Sequence, residues 1–98
     1  MFVQKTHEYS QWIDSLRDAV VRARILVRVE RLIHGNPGDH RNLPGGISEL
    51  RMDFGPGYRV YYCLRGKTVL LLLGGGNKAT QEQDIRAAKE LARNLEMR

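Results

Sequence analysis

The segment 47-ISELRMDFGPGYRVYYCLRGKTVLLLLGGG-76 contains three runs of residues with the composition and spacing of β-strands. We predict three strands, over residues 47–54, 58–65 and 68–74. The glycine-containing residues 55–57 and 66–67 connect them as hairpin turns. In the first two strands apolar and polar side chains alternate, so we expect one sheet face to pack on the core and the other to stay open. The third strand is apolar throughout residues 69–73 and is expected to lie centrally.

Helical patterns flank this segment. Before it we predict, in order, a short strand over residues 1–6, a helix that contains Trp12 and Leu16, and a second helix from an N-cap at Asp18 to Gly35. Residues 36–46, NPGDHRNLPGG, are rich in turn-forming residues and are predicted to form a loop. A last helix is predicted to begin with Thr80 as N-cap and Gln83 completing a capping box. The predicted order is β-α-α-β-β-β-α, an α+β fold in a single domain over residues 1–98.

The composition limits the classes of function. The chain of 98 residues has 16 Lys and Arg against 11 Asp and Glu, a formal charge of +5, which favours polyanionic partners such as RNA, DNA or an acidic protein. A single cysteine, Cys63, excludes an internal disulfide and favours a reducing compartment. We find neither a signal peptide nor an apolar run long enough to span a membrane, so we expect a cytoplasmic protein without a membrane partner.

The alternation also predicts a register. A three-residue loop at 55–57 pairs Asp53 with Arg59 and Arg51 with Tyr61, and the next hairpin places Arg59 beside Gly74. Arg51, Arg59 and Lys78 then converge at one end of the open face, near the Gly74-Gly75-Gly76 loop and a helix N-terminus. Such a group can bind an anion. The alternative is a solvated Asp53–Arg59 ion pair beside glycines that only turn the chain, and periodicity favours neither.

Other catalytic patterns are absent. The histidines have no metal-ligand spacing and no GxSxG motif occurs, so we expect no metal and no cofactor. His40 is kept only as a minor candidate for an acid or base. Tyr61, on the predicted open face, is a candidate for base stacking. The arginines at 24, 28 and 31 of the second helix are interpreted as a solvated face rather than as a contact for an acidic partner.

Several motifs together resemble a known family. They are WxxxLRD at 12–18, GNPGD at 35–39, ELR at 49–51, GPGYRVY at 55–61, and GGGNK at 74–78 followed by Gln81 and Asp84-Ile85. In this order and spacing they resemble the HigB-like branch of the RelE/ParE toxin superfamily, known as addiction module killer proteins. The resemblance covers nearly the whole chain and implies a RelE-like fold.

The resemblance implies a type II toxin that cleaves messenger RNA on the ribosome and is neutralised by a helix-turn-helix antitoxin. In such enzymes the ribose 2′-OH attacks the adjacent phosphate without a metal, and basic side chains hold the phosphate. Arg51, Arg59 and Lys78 match that catalytic role. Tyr61, Gln81 and Arg65 are the predicted RNA-binding residues, and Gln81 is expected to orient Lys78. The chain has no aromatic residue after Tyr62, so the general base stays unassigned.

Two alternatives belong to other classes of function. The same superfamily includes inhibitors of DNA gyrase, which bind a protein instead of cutting RNA. A module that binds RNA or a partner without catalysis is the third possibility. The three cations on one face favour cleavage.

Overall fold

The computed structural model describes residues 1–96. Within them the chain forms, in order, β1 (Phe2–Lys5), α1 (His7–Ser15), α2 (Ala19–Ile33), β2 (His40–Leu43), β3 (Ile47–Arg51), β4 (Arg59–Arg65), β5 (Val69–Gly76), a 3₁₀ turn (Lys78–Thr80) and α3 (Gln81–Glu96). The predicted α+β class, with a mainly antiparallel sheet packed on helices, is confirmed. None of the helices within residues 1–96 is both long enough and apolar enough to cross a membrane.

The strands form one sheet in the order β1-β5-β4-β3-β2. Strand β1 pairs parallel to β5, and the other neighbours are antiparallel. Strand β5 is therefore paired on both edges, as its unbroken apolar run predicts. Its Leu70 and Leu72 belong to one core and its Leu71 and Leu73 to another, so apolar side chains on both faces are buried.

Helices cover both faces of the sheet. Helices α1 and α2 pack on one face through residues such as Ile13, Ile25 and Val29. Helix α3 packs on the other face through Ala88 and Ala92, whose small side chains permit a close approach. The prediction that this second face is open is wrong where α3 lies, because the apolar stripe of α3 needs a surface to cover.

A strand interrupts the predicted loop at 36–46. Strand β2 pairs antiparallel with β3, with His40 opposite Leu50 and Leu43 opposite Ile47. Its sequence, HRNL, carries no apolar alternation because it is an edge strand with mostly exposed side chains. Gly45 and Gly46, with φ of +92° and +79°, complete the tight turn into β3. The observed order is therefore β-α-α-β-β-β-β-α.

The predicted register between β3 and β4 is wrong by two residues. Arg51 lies opposite Arg59, and Glu49 lies opposite Tyr61. The connection spans residues 52–58 instead of 55–57, and the Arg59 side chain donates to main-chain carbonyls of this wider loop. The β4–β5 hairpin pairs Arg65 with Val69, one residue beyond the predicted Thr68, and a β-bulge between Tyr61 and Tyr62 adds a second residue. Arg59 therefore lies opposite Gly76, where Gly74 was predicted.

Two helix N-termini were predicted and one of them is correct. Asp18 caps α2 by accepting from the backbone N–H groups of Val20 and Val21. The predicted capping box at Thr80 and Gln83 is wrong. The observed box joins Asn77 and Thr80 and begins the 3₁₀ turn that leads into α3.

Candidate functional site

A depression opens beside the facing ends of β3 and β4, and we call it the cationic depression. It has a volume of about 440 Å³ and is lined by Asp39, Arg51, Met52, Asp53, Gly55, Pro56, Gly57, Arg59 and Lys78. The β3–β4 register makes Arg51 and Arg59 neighbours. The backbone N–H of Lys78 donates to the Pro56 carbonyl at 3.3 Å, which fixes the 3₁₀ turn against the loop. The structure thus brings the three predicted catalytic cations together.

Arg59 is held by the fold. Its Nη1 donates to the carbonyl oxygens of Gly57 and Tyr58, at 3.0 and 3.1 Å, and more weakly to Met52 at 3.4 Å. Its Nε lies 3.8 Å from Oε1 of Glu49, and only 12% of the side chain is exposed. The alternative of an ion pair between Asp53 and Arg59 is therefore not realised, because the register places Glu49 within reach instead. A guanidinium anchored in this way has little conformational freedom left to lose when a ligand binds.

Arg51 forms an ion pair at the surface. Its Nε and Nη2 donate to Oδ1 of Asp39 at 3.2 and 2.9 Å, and the two side chains are 40% and 54% exposed. Pairs with this exposure contribute little free energy, so a phosphate can replace the carboxylate. The backbone N–H of Arg51 donates to the carbonyl of Asp39, and this bond places Asp39 beside Arg51. It extends the β2–β3 pairing, which was not predicted from the sequence.

Lys78 supplies a third and more accessible cation. It is exposed, and its ammonium has no carboxylate within ion-pair distance among residues 1–96. A side-chain carbon added to Gly57 would lie 3.3 Å from Cβ of Lys78, so the two residues are close neighbours. The depression therefore offers two arginines, one of them paired at the surface, and one unpaired lysine.

A buried carboxylate supports this site from below. Glu49 is fully buried and accepts hydrogen bonds from Nε of Arg41 at 3.1 Å and from Nε2 of Gln81 at 2.9 Å. The Gln81 side chain, predicted to orient Lys78 and to contact RNA, donates its amide to Glu49 and forms no hydrogen bond with Lys78 within residues 1–96. Through Arg41, Arg59 and Gln81, this one carboxylate connects β2, β4 and α3. A charge buried in this way needs such partners to be tolerated.

Tyr61 and Arg65 lie outside the cationic depression. Tyr61 is fully buried beneath α3, where burial and then the Glu49 carboxylate raise the pKa of its hydroxyl. It therefore has no exposed ring on which a base could stack. Arg65, at the opposite end of β4 from Arg59, donates to the carbonyls of Ala92 and Leu95 in the last turns of α3. Both residues were predicted to bind RNA, and the structure assigns them to packing and helix capping.

Comparison with known proteins identifies a family. Residues 11–95 match the family model described as phage-derived protein Gp49-like. The chain belongs to this Gp49-like family. A protein of Haemophilus influenzae, itself described as uncharacterized, is 41% identical over 93 residues, which cover 95% of this chain and 94% of the relative.

Gp49-like proteins are commonly toxins of toxin–antitoxin systems and are related to the RelE/HigB type. At that level the resemblance stated from the motifs is confirmed. Membership in the family implies an antitoxin partner.

The glycine run of this Gp49-like protein does not form an anion-binding loop. Gly74, Gly75 and Gly76 lie within β5 and pair with β4. A side-chain carbon on Gly75 would overlap the Trp12 ring, and one on Gly76 would overlap the Asp84 carboxylate, so close packing explains these two glycines. In the 3₁₀ turn the N–H of Lys78 donates to the Pro56 carbonyl, and those of Ala79 and Thr80 donate to the Asn77 side chain. Anion binding in the cationic depression therefore depends on side chains.

The remaining candidates lie outside the depression. Nδ1 of His40 lies 2.8 Å from the carbonyl oxygen of Gly38, and the ring does not line the depression. Among residues 1–96 of the Gp49-like chain, no three His, Cys, Asp or Glu side chains form a group that could hold a metal ion. Asp53 is an exposed carboxylate on the wall of the depression. It was not predicted from the sequence to be a site residue.

Proposed function

We propose that this protein is the toxin of a type II toxin–antitoxin system and that it cleaves messenger RNA on the ribosome. The observation that supports this is the convergence of Arg51, Arg59 and Lys78 on one solvent-open depression. Three cations at one place suit a phosphodiester, whose negative charge grows in the transition state of cleavage. The proposed substrate is therefore an RNA phosphate with its neighbouring ribose 2′-OH.

In the proposed reaction the 2′-oxygen attacks the adjacent phosphorus and loses its proton to a carboxylate. The new bond joins O2′ to phosphorus, and the bond from phosphorus to O5′ breaks. The leaving O5′ takes a proton, for which the Lys78 ammonium is the proposed donor. The products are a 2′,3′-cyclic phosphate and a 5′-hydroxyl end.

The side chains divide naturally between these roles. Arg59 and Arg51 are the proposed phosphate clamps, because a guanidinium keeps its charge and offers several donors in one plane. Asp39 and Asp53 are the two carboxylates that line the cationic depression, and we propose Asp53 as the proton acceptor because Asp39 is paired with Arg51. This assignment fills the role that the sequence left open.

The proposed antitoxin is of the helix-turn-helix type. Neutralisation is tested by co-expressing the protein with the product of each neighbouring open reading frame. Rescue of growth by one neighbour that also co-purifies with the toxin supports the pairing.

Transcript mapping after induction separates the three classes of function. The proposal predicts growth arrest with new 5′-hydroxyl ends that fall in phase with codons of translated messages. An SOS response with intact transcripts would identify an inhibitor of DNA gyrase instead. Normal growth with intact transcripts would identify a binding module without catalysis.

A further inference from the structure

A second hollow borders the cationic depression, and we call it the Arg24 hollow. Its volume is about 270 Å³, and it is lined by Arg24, Val27, Arg28, Arg31, Met52, Asp53 and Phe54. Met52 and Asp53 line both cavities, so the two lie side by side at the β3–β4 loop. They are therefore close enough for one bound strand to contact both.

An arginine and an aromatic ring are stacked in this hollow. The guanidinium carbon of Arg24 lies 3.8 Å from the centroid of the Phe54 ring, which itself packs against Tyr58. Arg24 is exposed, and the stacking holds its guanidinium plane in place without using its hydrogen-bond donors. Flat cationic and aromatic groups of this kind are the surfaces on which single-stranded bases stack.

The hollow is also rigidly connected to the candidate site. Arg28, interpreted from the sequence as part of a solvated face, is instead half-buried and donates to the carbonyls of Arg51, Pro37 and Asp39 at 2.8, 3.0 and 2.9 Å. That interpretation is therefore wrong for Arg28. One helix side chain thus joins α2 to the main chain beside the cationic depression.

The charges of the hollow favour a polyanion. Three arginines line it against a single carboxylate, that of Asp53. Arg31 is exposed, and among residues 1–96 its guanidinium has no hydrogen-bond or ion-pair partner. Its donors are free for a phosphate oxygen.

We propose that the Arg24 hollow is a second RNA subsite, which holds a nucleotide flanking the scissile phosphate. Arg24 and Phe54 receive its base, and Arg31 receives a phosphate of the same strand. This inference rests on the proposed function for the class of its ligand. The adjacency of the cationic depression and the stacked aromatic ring favour RNA over an acidic protein as the occupant.

The test compares two pairs of substitutions with the same spacing and charge change. The hollow variant, Arg24→Gln/Arg31→Gln, alters the Arg24 hollow. The control variant, Arg86→Gln/Arg93→Gln, alters two exposed arginines on α3, and in both variants the two substituted arginines are seven residues apart. The probe is a single-stranded 2′-O-methylated oligonucleotide of about ten nucleotides, which cannot be cleaved through its 2′-oxygens. A dinucleotide of the same chemistry is the short probe, and affinity is measured over a range of salt concentrations.

We expect the hollow variant to bind the long probe at least about tenfold more weakly and to lower the salt slope by about 0.7, since each lost phosphate contact contributes about 0.7 and Arg31 is the residue of the pair assigned to a phosphate. Its loss on the dinucleotide is expected to be smaller, and the control is expected to match the wild type. Arg31→Gln alone serves as a variant that removes no described contact within the protein. Equal binding by wild type, hollow variant and control would overturn the inference.

Three further outcomes keep this inference separate from the proposed function. If the hollow variant loses its antitoxin but binds RNA normally, the hollow is a protein interface and the inference is wrong. Cleavage is measured independently with Lys78→Gln. If Lys78→Gln abolishes cleavage while the hollow variant behaves like the control, only the inference fails. If Lys78→Gln cleaves RNA normally, the proposed active site is wrong. The affinity of the hollow variant for the long probe then still tests whether the Arg24 hollow binds RNA.

Discussion

Removing the buried carboxylate of Glu49 should destabilise the whole protein and weaken the candidate site together. The side chain is fully buried, while its partners Arg59 and Arg41 are 12% and 46% exposed. Glu49→Ala leaves Arg59 largely buried without its counter-ion and Gln81 without its acceptor. Breaking a buried ion pair on one side generally costs about 3–5 kcal/mol.

The geometry places the expected value near the lower end of that range. Arg59 keeps its main-chain acceptors, and its Nε lies 3.8 Å from the carboxylate, beyond hydrogen-bond distance. We therefore expect Glu49→Ala to lower the free energy of unfolding by about 3 kcal/mol. For a domain of this size that corresponds to a fall in melting temperature of roughly 12–24 °C. Glu49→Gln keeps the volume and one acceptor oxygen, and should cost about 1–2 kcal/mol.

Urea unfolding followed by the fluorescence of the single tryptophan, Trp12, measures these values. Glu30→Gln is the matched control, because Glu30 is 65% exposed and, within residues 1–96, forms an ion pair with His34 alone; we expect a change below about 0.5 kcal/mol. RNA cleavage by Glu49→Gln should fall, since Arg59 loses part of its support. The reasoning is refuted if Glu49→Ala unfolds within about 1 kcal/mol of the wild type.

Three further predictions test separate features. Asp53→Asn should slow RNA cleavage by about 100-fold or more, because a proton acceptor typically contributes that much, while urea unfolding stays unchanged; an unaltered rate would remove Asp53 from the proposed reaction. Gly75→Ala should destabilise the fold by about 1–3 kcal/mol in the same unfolding assay, because the new methyl group overlaps Trp12, whereas Gly74→Ala meets open space and should not. Burial, followed by the charge of Asp14, raises the pKa of Tyr9 from 10.0 to about 12. Its hydroxyl thus loses its proton more easily in the unfolded chain than in the folded one. The free energy of unfolding should therefore be fully retained below pH 10.0 and fall by about 3 kcal/mol as the pH rises to about 12. In Tyr9→Phe the free energy of unfolding should depend less on pH over the same range.

The sequence predicted those parts of the fold that depend on local patterns. Asp18 caps α2 as expected, and the five apolar residues of β5 lie inside the sheet. Strand β2 has no pattern of its own and forms because the edge of β3 offers unpaired main-chain groups. The position of α3 could not be predicted either. The alternation of side chains along β3 and β4 shows that the two faces of the sheet differ in polarity, but it does not show whether a helix covers the more polar face.

The candidate site was predicted more accurately than the register from which it was deduced. A slip of two residues keeps every side chain on its own face, so Arg51 and Arg59 remain neighbours at the same end of the sheet. The same slip exchanges partners, and therefore Glu49 replaces Asp53 beside Arg59. Tyr61 was misassigned for another reason, since its exposure depends on α3, a distant element.

The central claim is that the cationic depression holds the scissile phosphate, and Lys78 tests it most directly because its side chain is exposed and has no ion pair within residues 1–96. The decisive measurement is the rate at which purified Lys78→Gln, with unfolding matched to the wild type, generates 5′-hydroxyl ends on translated messenger RNA. We predict a loss of at least about 100-fold relative to the wild type and to Arg86→Gln. A rate equal to that of the wild type would contradict the account.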